Sequence, residues 1–404
     1  MSEVKINFRK SWLLFFILFG TMFLFGYIEN IKGVSFPLIK AEFAVSYAHQ
    51  GLMLSIKSLG YTVFCVVGGI LLGSIGVKKA LIMGFSLIIA GLIGISFMPR
   101  FMLVAGTLFL IAASFGLFSV SLNALASQVF TFRTALLMSL MNFFYGAGSS
   151  VSPRVSGVIA STMDWRQAYL FSVLLVLAFF IPSIFTRFPQ AEGEEKKKTS
   201  FLTAIKTPMA WVFGIILGLC VAVEMWSPNW AALYFRDVFQ LDPTTSGARY
   251  ISNFFILFTI SRLVSGFAIE KIGYLRSLFV TVLASLAIFI VGLFLGARAI
   301  HVLPAFGFFK AMFWPVTLAM AMVYFRKNAP VMISAVIVIH GAFNAIMQLM
   351  IGVITRSAGP AWSYYTCLIL TVILVICLII LARFMQRGTS ALGPGADSQK
   401  GAFT

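Results

Sequence analysis

The 404-residue chain has little charge, and acidic residues are especially scarce. Only 10% of its residues are Asp, Glu, Lys or Arg, and only 12 of them carry a carboxylate. Soluble domains carry about 25% charged residues, so the composition excludes an ordinary soluble domain. Hydrophobic residues make up 60% of the chain, and the mean hydropathy is +0.99. The chain is therefore predicted to be an integral membrane protein.

Cysteine and histidine are also scarce, with four and three copies. Cys65, Cys220, Cys367 and Cys377 lie inside apolar stretches and show neither metal-ligand nor disulfide spacing, so we interpret them as packing thiols. The sequence contains no Gly-x-x-x-x-Gly-Lys-Ser/Thr loop and no hydrolase elbow. These absences predict a protein that is not an enzyme and that needs no cofactor or metal.

Long apolar runs dominate the rest of the sequence. A membrane-spanning helix needs about 20 mostly apolar residues, and charge, Pro and Gly divide the chain into twelve such runs. They are 12–35, 51–74, 79–98, 102–128, 135–160, 166–186, 208–235, 248–270, 275–297, 300–325, 330–356 and 361–385. The predicted fold class is an all-α membrane protein with twelve transmembrane helices.

Polar stretches divide these runs into two bundles. The predicted domains are a six-helix bundle over 1–186, a linker with an interfacial helix over 187–207, a second six-helix bundle over 208–387 and a disordered tail over 388–404. With both termini in the cytoplasm, eighteen Lys and Arg lie inside and six outside, and the other six lie within spans or at the outer mouth. This asymmetry predicts a multi-pass plasma membrane protein, and it explains the net charge of +18 without nucleic acid.

Seven ionisable side chains interrupt the apolar runs. They are Glu29, Lys57, Arg154, Glu224, Arg262, Lys310 and His340. A charge at the centre of a bilayer costs at least ~2.5–3.5 kcal/mol, so such residues usually face a protein interior or a water-filled path. The seven occupy spans 1, 2, 5, 7, 8, 10 and 11 and are absent from every third span. We interpret them as the inner face of the bundle.

The two halves of the chain repeat each other. The segment "GILLGSIGVKKAL" begins at Gly69 and "GFAIEKIGYLRSL" begins at Gly266, an offset of 197 residues. Glu29 and Glu224 are offset by 195, so the two interior acids occupy nearly equivalent positions. Internal repeats of this kind are typical of transporters that bind their substrate near the midplane.

Both repeated segments resemble the loop motif Gly-x-x-x-Asp-Arg-x-Gly-Arg-Arg/Lys of the major facilitator superfamily. The first copy lacks the acidic residue, whereas the second keeps Gly266, Glu270, Lys271 and Gly273. The resemblance implies two six-helix pseudo-repeats in which spans 1, 2, 4, 5, 7, 8, 10 and 11 surround a central cavity. It also implies that five residues control the cytoplasmic gate: Gly69, Arg262, Gly266, Glu270 and Lys271.

Four segments resemble the fucose–galactose–hexose proton symporters of that superfamily. They are "SLNALASQVF" with Asn123, "MNFFYGAGSSVSPRVSG", "AVEMWSPNWAALYF" with Glu224 and Trp230, and "FGFFKAMFWPVTLAM". The resemblance implies sugar import coupled to protons by alternating access. The chain departs from that group in one respect, because Lys57, Arg154 and Lys310 are cations that a neutral sugar does not require. Pro37, Pro153 and Pro315 are predicted to break helices near the cavity.

These observations predict a monomeric symporter whose partners are a small molecule, protons and the lipid bilayer. Glu224 and Glu29 are the candidate proton-coupling residues, because intramembrane acids usually have functional roles. The candidate substrate-binding residues are Arg154, Lys310, Lys57, Asn123, Trp230, His340 and Asn344.

Several alternatives remain open. The two acids cannot neutralise all the interior cations, and this surplus favours an anionic, sugar-derived substrate. The same side chains also permit purely internal pairing, including an i,i+3 pair between Glu29 and Lys32. A partial exporter motif in "GAGSSVSPRVSG" leaves an exporter or exchanger of an organic anion or amphipathic compound as the alternative, and a non-transporting sensor as a third class.

Overall fold

The computed structural model describes residues 8–129, 134–188, 201–325 and 329–391, and all the regular structure in these ranges is helical. The first five helices are α1 (Phe8–Glu42), α2 (Tyr47–Phe97), α3 (Phe101–Val129), α4 (Thr134–Thr162) and α5 (Trp165–Phe185). The next five are α6 (Phe201–Ile205), α7 (Pro208–Glu224), α8 (Ala232–Phe239), α9 (Ala248–Ile272) and α10 (Tyr274–Leu295). The last five are α11 (Ala299–Val302), α12 (Ala305–Lys310), α13 (Phe313–Phe325), α14 (Ala329–Ala358) and α15 (Trp362–Ala391).

These helices make up the twelve predicted membrane crossings. Within the described ranges, nine helical segments are long and apolar enough to cross a membrane. One of them, α2, has 51 residues. At 1.5 Å per residue it is about 75 Å long, and the apolar core of a bilayer is about 30 Å thick. The helix α2 therefore accounts for the second and third predicted spans.

Glycine marks the boundary between those two spans. Gly76 interrupts α2 with φ 76° and ψ 167°. Gly273, which precedes α10, has φ 86° and ψ 161°. This backbone region is essentially restricted to glycine. The two residues are separated by the same 197 positions as the repeated motifs, so the sequence repeat corresponds to a repeated backbone turn.

Some predicted boundaries were wrong. The first span extends to Glu42, and α15 continues to Ala391, four residues into the predicted tail, whose remainder lies outside the described residues. Pro37 and Pro153 lie inside continuous helices, so they do not break them. Proline is tolerated in membrane helices because neighbouring groups satisfy the freed backbone carbonyls.

Two spans of the second half are discontinuous, and each break follows an ionisable residue. The seventh span is α7, a π-helical turn over Ser227–Ala231 and α8, and α7 ends at Glu224. In the tenth span α12 ends at Lys310, and α13 starts at Phe313. Helix breaks at membrane depth line binding sites in many transporters, and π-helical turns are frequent at functional sites.

Contacts divide the chain into two units. The first contains Met1–Ala44 and Ile56–Lys196, and the second contains Val45–Ser55 and Lys197–Thr404. Residues 45–55, which the sequence assigns to the first bundle, thus group with the second unit. The reason is close packing on α14: the Ser55 hydroxyl donates to the Ala345 carbonyl at 2.6 Å, and a Cβ on Gly51 would lie 2.7 Å from the Gln348 carbonyl oxygen.

Each unit is organised around one close helix pair. In the first unit α1 packs most extensively on α4, and in the second α7 packs most extensively on α14. At the α1–α4 crossing Gly26 and Gly148 lie so close to the opposite backbone that a Cβ at either position would overlap a carbonyl oxygen. Small residues permit this approach between membrane helices. The two pairs are equivalent spans of the two repeats.

Candidate functional site

A buried acid, thiol and ammonium group meet in the second unit. Cys220 and Glu224 lie one turn apart on the same side of α7, where they are 1% and 7% exposed. Lys310, at the end of α12, is fully buried, and its Nζ lies 3.3 Å from Cys220 Sγ. The ammonium group also lies 5.2 Å from the centre of the Phe313 ring, within the range of a cation–π interaction. We call Cys220, Glu224 and Lys310 the Lys310 cluster.

The carboxylate of Glu224 has cations near it but no direct ion pair. No hydrogen bond or ion pair within 4.0 Å joins it to another described residue, whereas Arg262 and Lys310 are both near enough to act on its charge. The Arg262 guanidinium lies 4.6 Å from the Phe258 ring centre. The sequence assigned Arg262 to gating, and the structure adds that it lies in the electrostatic environment of Glu224.

A polar network follows the break after α7. Gln348 Oε1 accepts hydrogen bonds from Trp230 Nε1 at 2.9 Å and from Asn229 Nδ2 at 3.3 Å. Gln348 Nε2 donates to Asn344 Oδ1 at 3.4 Å. The amide oxygen of Asn229 is buried and accepts no hydrogen bond from the described residues. We call Asn229, Trp230, Asn344 and Gln348 the amide cluster; its amides and indole suit a ligand that carries hydroxyl groups.

His340 lies on the face of α14 that carries two members of the amide cluster, Asn344 and Gln348. His340, Asn344 and Gln348 are spaced four residues apart, which places them on one side of a helix. His340 is 5% exposed, and its ring meets the Trp314 ring edge-on at a centroid distance of 5.0 Å. Its Nδ1 has no hydrogen-bond partner among the described residues. The sequence left open an interhelical hydrogen bond, and Nδ1 makes none in that part of the chain.

In the first unit, two lysines meet one carboxylate. Lys57 Nζ, from α2, lies 2.5 Å from Glu29 Oε1, and Lys32 Nζ forms a short ion pair with the same oxygen. The side chains of Glu29, Lys32 and Lys57 are 11%, 3% and 14% exposed. Glu29 Oε2 is buried and has no hydrogen-bond partner among the described residues. We call these three residues the Glu29 cluster.

The remaining sequence candidates lie elsewhere. Arg154 and Asn123 are exposed, and the Asn123 amide donates to the Ser119 carbonyl of its own helix at 2.7 Å. Lys271 is exposed as well. Gly69 is exposed, with nothing within 4 Å of the position of a Cβ. The remaining two candidates are Gly266 and Glu270, for which the structure describes the helical backbone but not the side-chain surroundings.

Several contacts were missed by reasoning from the sequence. The i,i+3 pair between Glu29 and Lys32 that the sequence offered as an alternative does form, and Lys32 is 2% exposed. Cys220, in contrast, was interpreted as a packing thiol although Lys310 lies against it. Lys78 Nζ donates to the Ile184 carbonyl at 2.6 Å, at the end of α5, where a cation is favourable. Its position in the loop motif was the available signal for that contact.

Another contact that the sequence did not predict joins the end of α1 to the start of α5. Glu42 accepts two hydrogen bonds from the Arg166 guanidinium, at 2.7 and 2.6 Å. The Trp165 indole donates to the same carboxylate at 2.7 Å. Because the predicted first span ended at residue 35, the sequence offered no signal for this interaction.

Comparison with known families agrees with this architecture. The model of the Major Facilitator Superfamily matches residues 18–306. The chain belongs to the major facilitator superfamily. It is therefore a multi-pass membrane transporter, and the fold predicted from its loop motifs is confirmed.

Similar proteins within the superfamily are distant in sequence. A protein TsgA homolog of Yersinia enterocolitica serotype O:8 / biotype 1B is 21% identical over 381 residues, which cover 92% of this chain and 95% of the relative. The E. coli fucose:proton symporter superposes with a TM-score of 0.65 at 18% identity, over 93% of this chain and 99% of that chain. A D-xylose-proton symporter superposes with a TM-score of 0.72 at 14% identity, over 91% and 97%. At these identities the solved structures show the shared fold alone.

Proposed function

We propose that this chain imports a sugar or a sugar-derived organic anion together with protons, by alternating access. The observation that carries the proposal is Glu224, a buried carboxyl group at a helix break. Because no described cation forms an ion pair with it, protonation removes an uncompensated buried charge. Arg262 and Lys310 stabilise the ionised form from a distance. A carboxyl group balanced in this way is suited to bind and release a proton.

The amide cluster supports a polyhydroxylated substrate. Trp230 supplies a large apolar face, and amide groups both donate to and accept from hydroxyls. Asn229 Oδ1, buried without a partner among the described residues, is available to accept from a substrate hydroxyl. Asn344 belongs to this cluster, and His340 lies one turn before it on α14. We assign both residues, together with Lys310, to substrate binding. Glu29 belongs to a cluster with two lysines, so Glu224 is the primary coupling residue.

The names of the structural neighbours agree with sugar–proton symport, since one is a fucose:proton symporter and another a D-xylose-proton symporter. The distribution of Lys and Arg supports a plasma membrane protein with both termini in the cytoplasm. Under the same proposal Arg154 and Asn123 contact the substrate at another stage of the cycle, and the loop-motif residues control the cytoplasmic gate.

The test is uptake into proteoliposomes driven by an imposed pH gradient. A panel of hexoses and hexuronates is offered, and accumulation is expected to collapse when a protonophore is added. Glu224→Gln is expected to lose gradient-driven accumulation but to keep exchange of labelled for unlabelled substrate, since glutamine mimics the protonated acid. Asp242→Asn, at an exposed helix cap where asparagine serves equally well, is the matched control.

Three outcomes contradict parts of the proposal. Undiminished accumulation by Glu224→Gln removes its coupling role. Proton-driven efflux in place of uptake supports the exporter alternative, and ligand binding without flux in either direction supports a sensor.

A further inference from the structure

The Glu29 cluster has an excess of positive charge in a buried position. Lys32 and Lys57 carry two ammonium groups, and Glu29 supplies one carboxylate. No other described residue forms an ion pair with either lysine. A buried charge is normally neutralised by a partner, and this cluster lacks one negative charge.

The hydrogen bonds of the cluster fall on only one of the two oxygens of the Glu29 carboxylate. Both ammonium groups bind Glu29 Oε1, while Oε2 is buried and accepts nothing from the described residues. An ammonium group has three donors, so each lysine retains donors after its bond to Oε1. Two adjacent ammonium groups with donors to spare form the cation side of an anion site.

The three side chains of the cluster differ in their accessibility. Lys32 is 3% exposed, whereas Lys57, the most accessible of the three side chains, is 14% exposed. One turn along α2, Tyr61 donates to the Ser119 hydroxyl at 3.3 Å, and one turn along α1, Ser35 and Tyr169 share a 2.8 Å hydrogen bond. A ligand would therefore meet Lys57 first.

We propose that Lys57 and Lys32 bind the anionic group of the transported substrate, and that Glu29 occupies the lysines as an internal competitor when the substrate is absent. The proposal deepens the proposed function and rests on it, because it names the cargo as an organic anion, with a carboxylate, sulfonate or phosphate group, in preference to a neutral sugar. Without substrate the cluster carries one excess positive charge, and a bound anion neutralises it while taking over ammonium donors from Glu29.

This arrangement makes opposite predictions for the two kinds of substitution. Lys57→Met removes a charge-assisted hydrogen bond, which corresponds to roughly a tenfold to hundredfold weaker affinity for the anion. Glu29→Gln removes the competitor and keeps both lysines, so it is expected to strengthen anion binding several-fold. If Glu29 had only a structural role, Glu29→Gln would weaken anion binding, because the two buried ammonium groups would lose their carboxylate.

The experiment measures ligand-induced thermal shifts of the purified protein in detergent. The probes are D-galactose and D-galacturonate, which differ only in that a carboxylate replaces the C6 hydroxymethyl group, with sulfonate-bearing and phosphate-bearing sugars as further anions. Galacturonate is expected to raise the melting temperature and galactose to leave it unchanged. Lys57→Arg tests retention of charge, and Lys79→Met, at an exposed lysine on the same helix, is the matched control.

The proposal is overturned if galactose stabilises the protein and no anion does, or if no member of the panel shifts the melting temperature. It is also overturned if Glu29→Gln weakens anion binding as much as Lys57→Met. If Lys57→Met does not fold, the proposal is tested by Glu29→Gln alone: stronger anion binding supports it and weaker anion binding overturns it. If galactose is taken up with protons, the proposed function stands and the anion site is overturned. If galacturonate binds but is not taken up, the anion site stands and the proposed function is overturned.

Discussion

Replacing Lys310 with methionine removes a buried ammonium group and keeps a side chain of similar length. Lys310 is fully buried, and its ammonium group donates to the Cys220 thiol. No described carboxylate lies within ion-pair distance, so the substitution leaves no described carboxylate without its ion-pair partner. Replacing buried ionic groups by apolar ones of similar volume is often neutral or stabilising by roughly 1–4 kcal/mol. The cation–π interactions with Phe306 and Phe313 are worth about 0.5–2 kcal/mol. The expected net change lies between about 2 kcal/mol against and about 3.5 kcal/mol in favour of Lys310→Met.

The assay is the apparent melting temperature of Lys310→Met in detergent, compared with wild type and with Lys310→Arg. A change of this size corresponds to a melting temperature between a few degrees lower and several degrees higher than that of the wild type, and substrate uptake is expected to be lost. A folded variant that is destabilised by roughly 3–5 kcal/mol would refute the reasoning, because that is the cost of breaking a buried ion pair. The double variant with Glu224→Gln then measures the coupling between the two side chains.

Three further substitutions test the fold and the amide cluster. Gly76→Ala is expected to destabilise the protein by about 1–3 kcal/mol because φ is +76° there, whereas Gly69→Ala, in an open helical position, should be neutral; equal melting temperatures would contradict this. Gln348→Leu leaves two buried donors without an acceptor and should cost about 1–3 kcal/mol for each; an unchanged melting temperature would argue against these two hydrogen bonds. Glu42→Gln weakens the partly exposed pair with Arg166 and should change stability by at most ~1 kcal/mol, with less effect at high salt; a salt-independent loss would argue against a surface ion pair.

The membrane spans could be predicted from the sequence because their signal is local. Each span needs enough consecutive apolar residues to cross the bilayer, and the predicted starts at 208 and 248 coincide with those of α7 and α9. The predicted turn between the second and third spans lies at Gly76, which has a backbone conformation that only glycine adopts readily. The ends were less accurate where a helix continues beyond the apolar run, as α1 does to Glu42.

The contacts of the interior charges could not be predicted in the same way. The sequence identified Glu29, Lys57 and Lys310 as interior residues, but it offered the Glu29–Lys32 pair only as one alternative and placed Cys220 among the packing thiols. Lys57 and Glu29 belong to different helices, and their contact depends on how those helices are rotated and how deeply they cross. Hydropathy contains no information about either quantity.

Composition and pattern alone determined that this chain crosses a membrane twelve times, repeats itself after 197 residues and keeps its interior charges away from every third span. The physical reason is that lipid penalises each exposed polar group independently of its neighbours, so the constraint acts on single residues and short segments. Only the tertiary structure decided that Glu29 accepts two lysines, that Lys310 lies against a thiol, and that Gln348 joins the tryptophan and asparagine after α7. Those contacts form between side chains from separate helices, which meet only when the helices have packed.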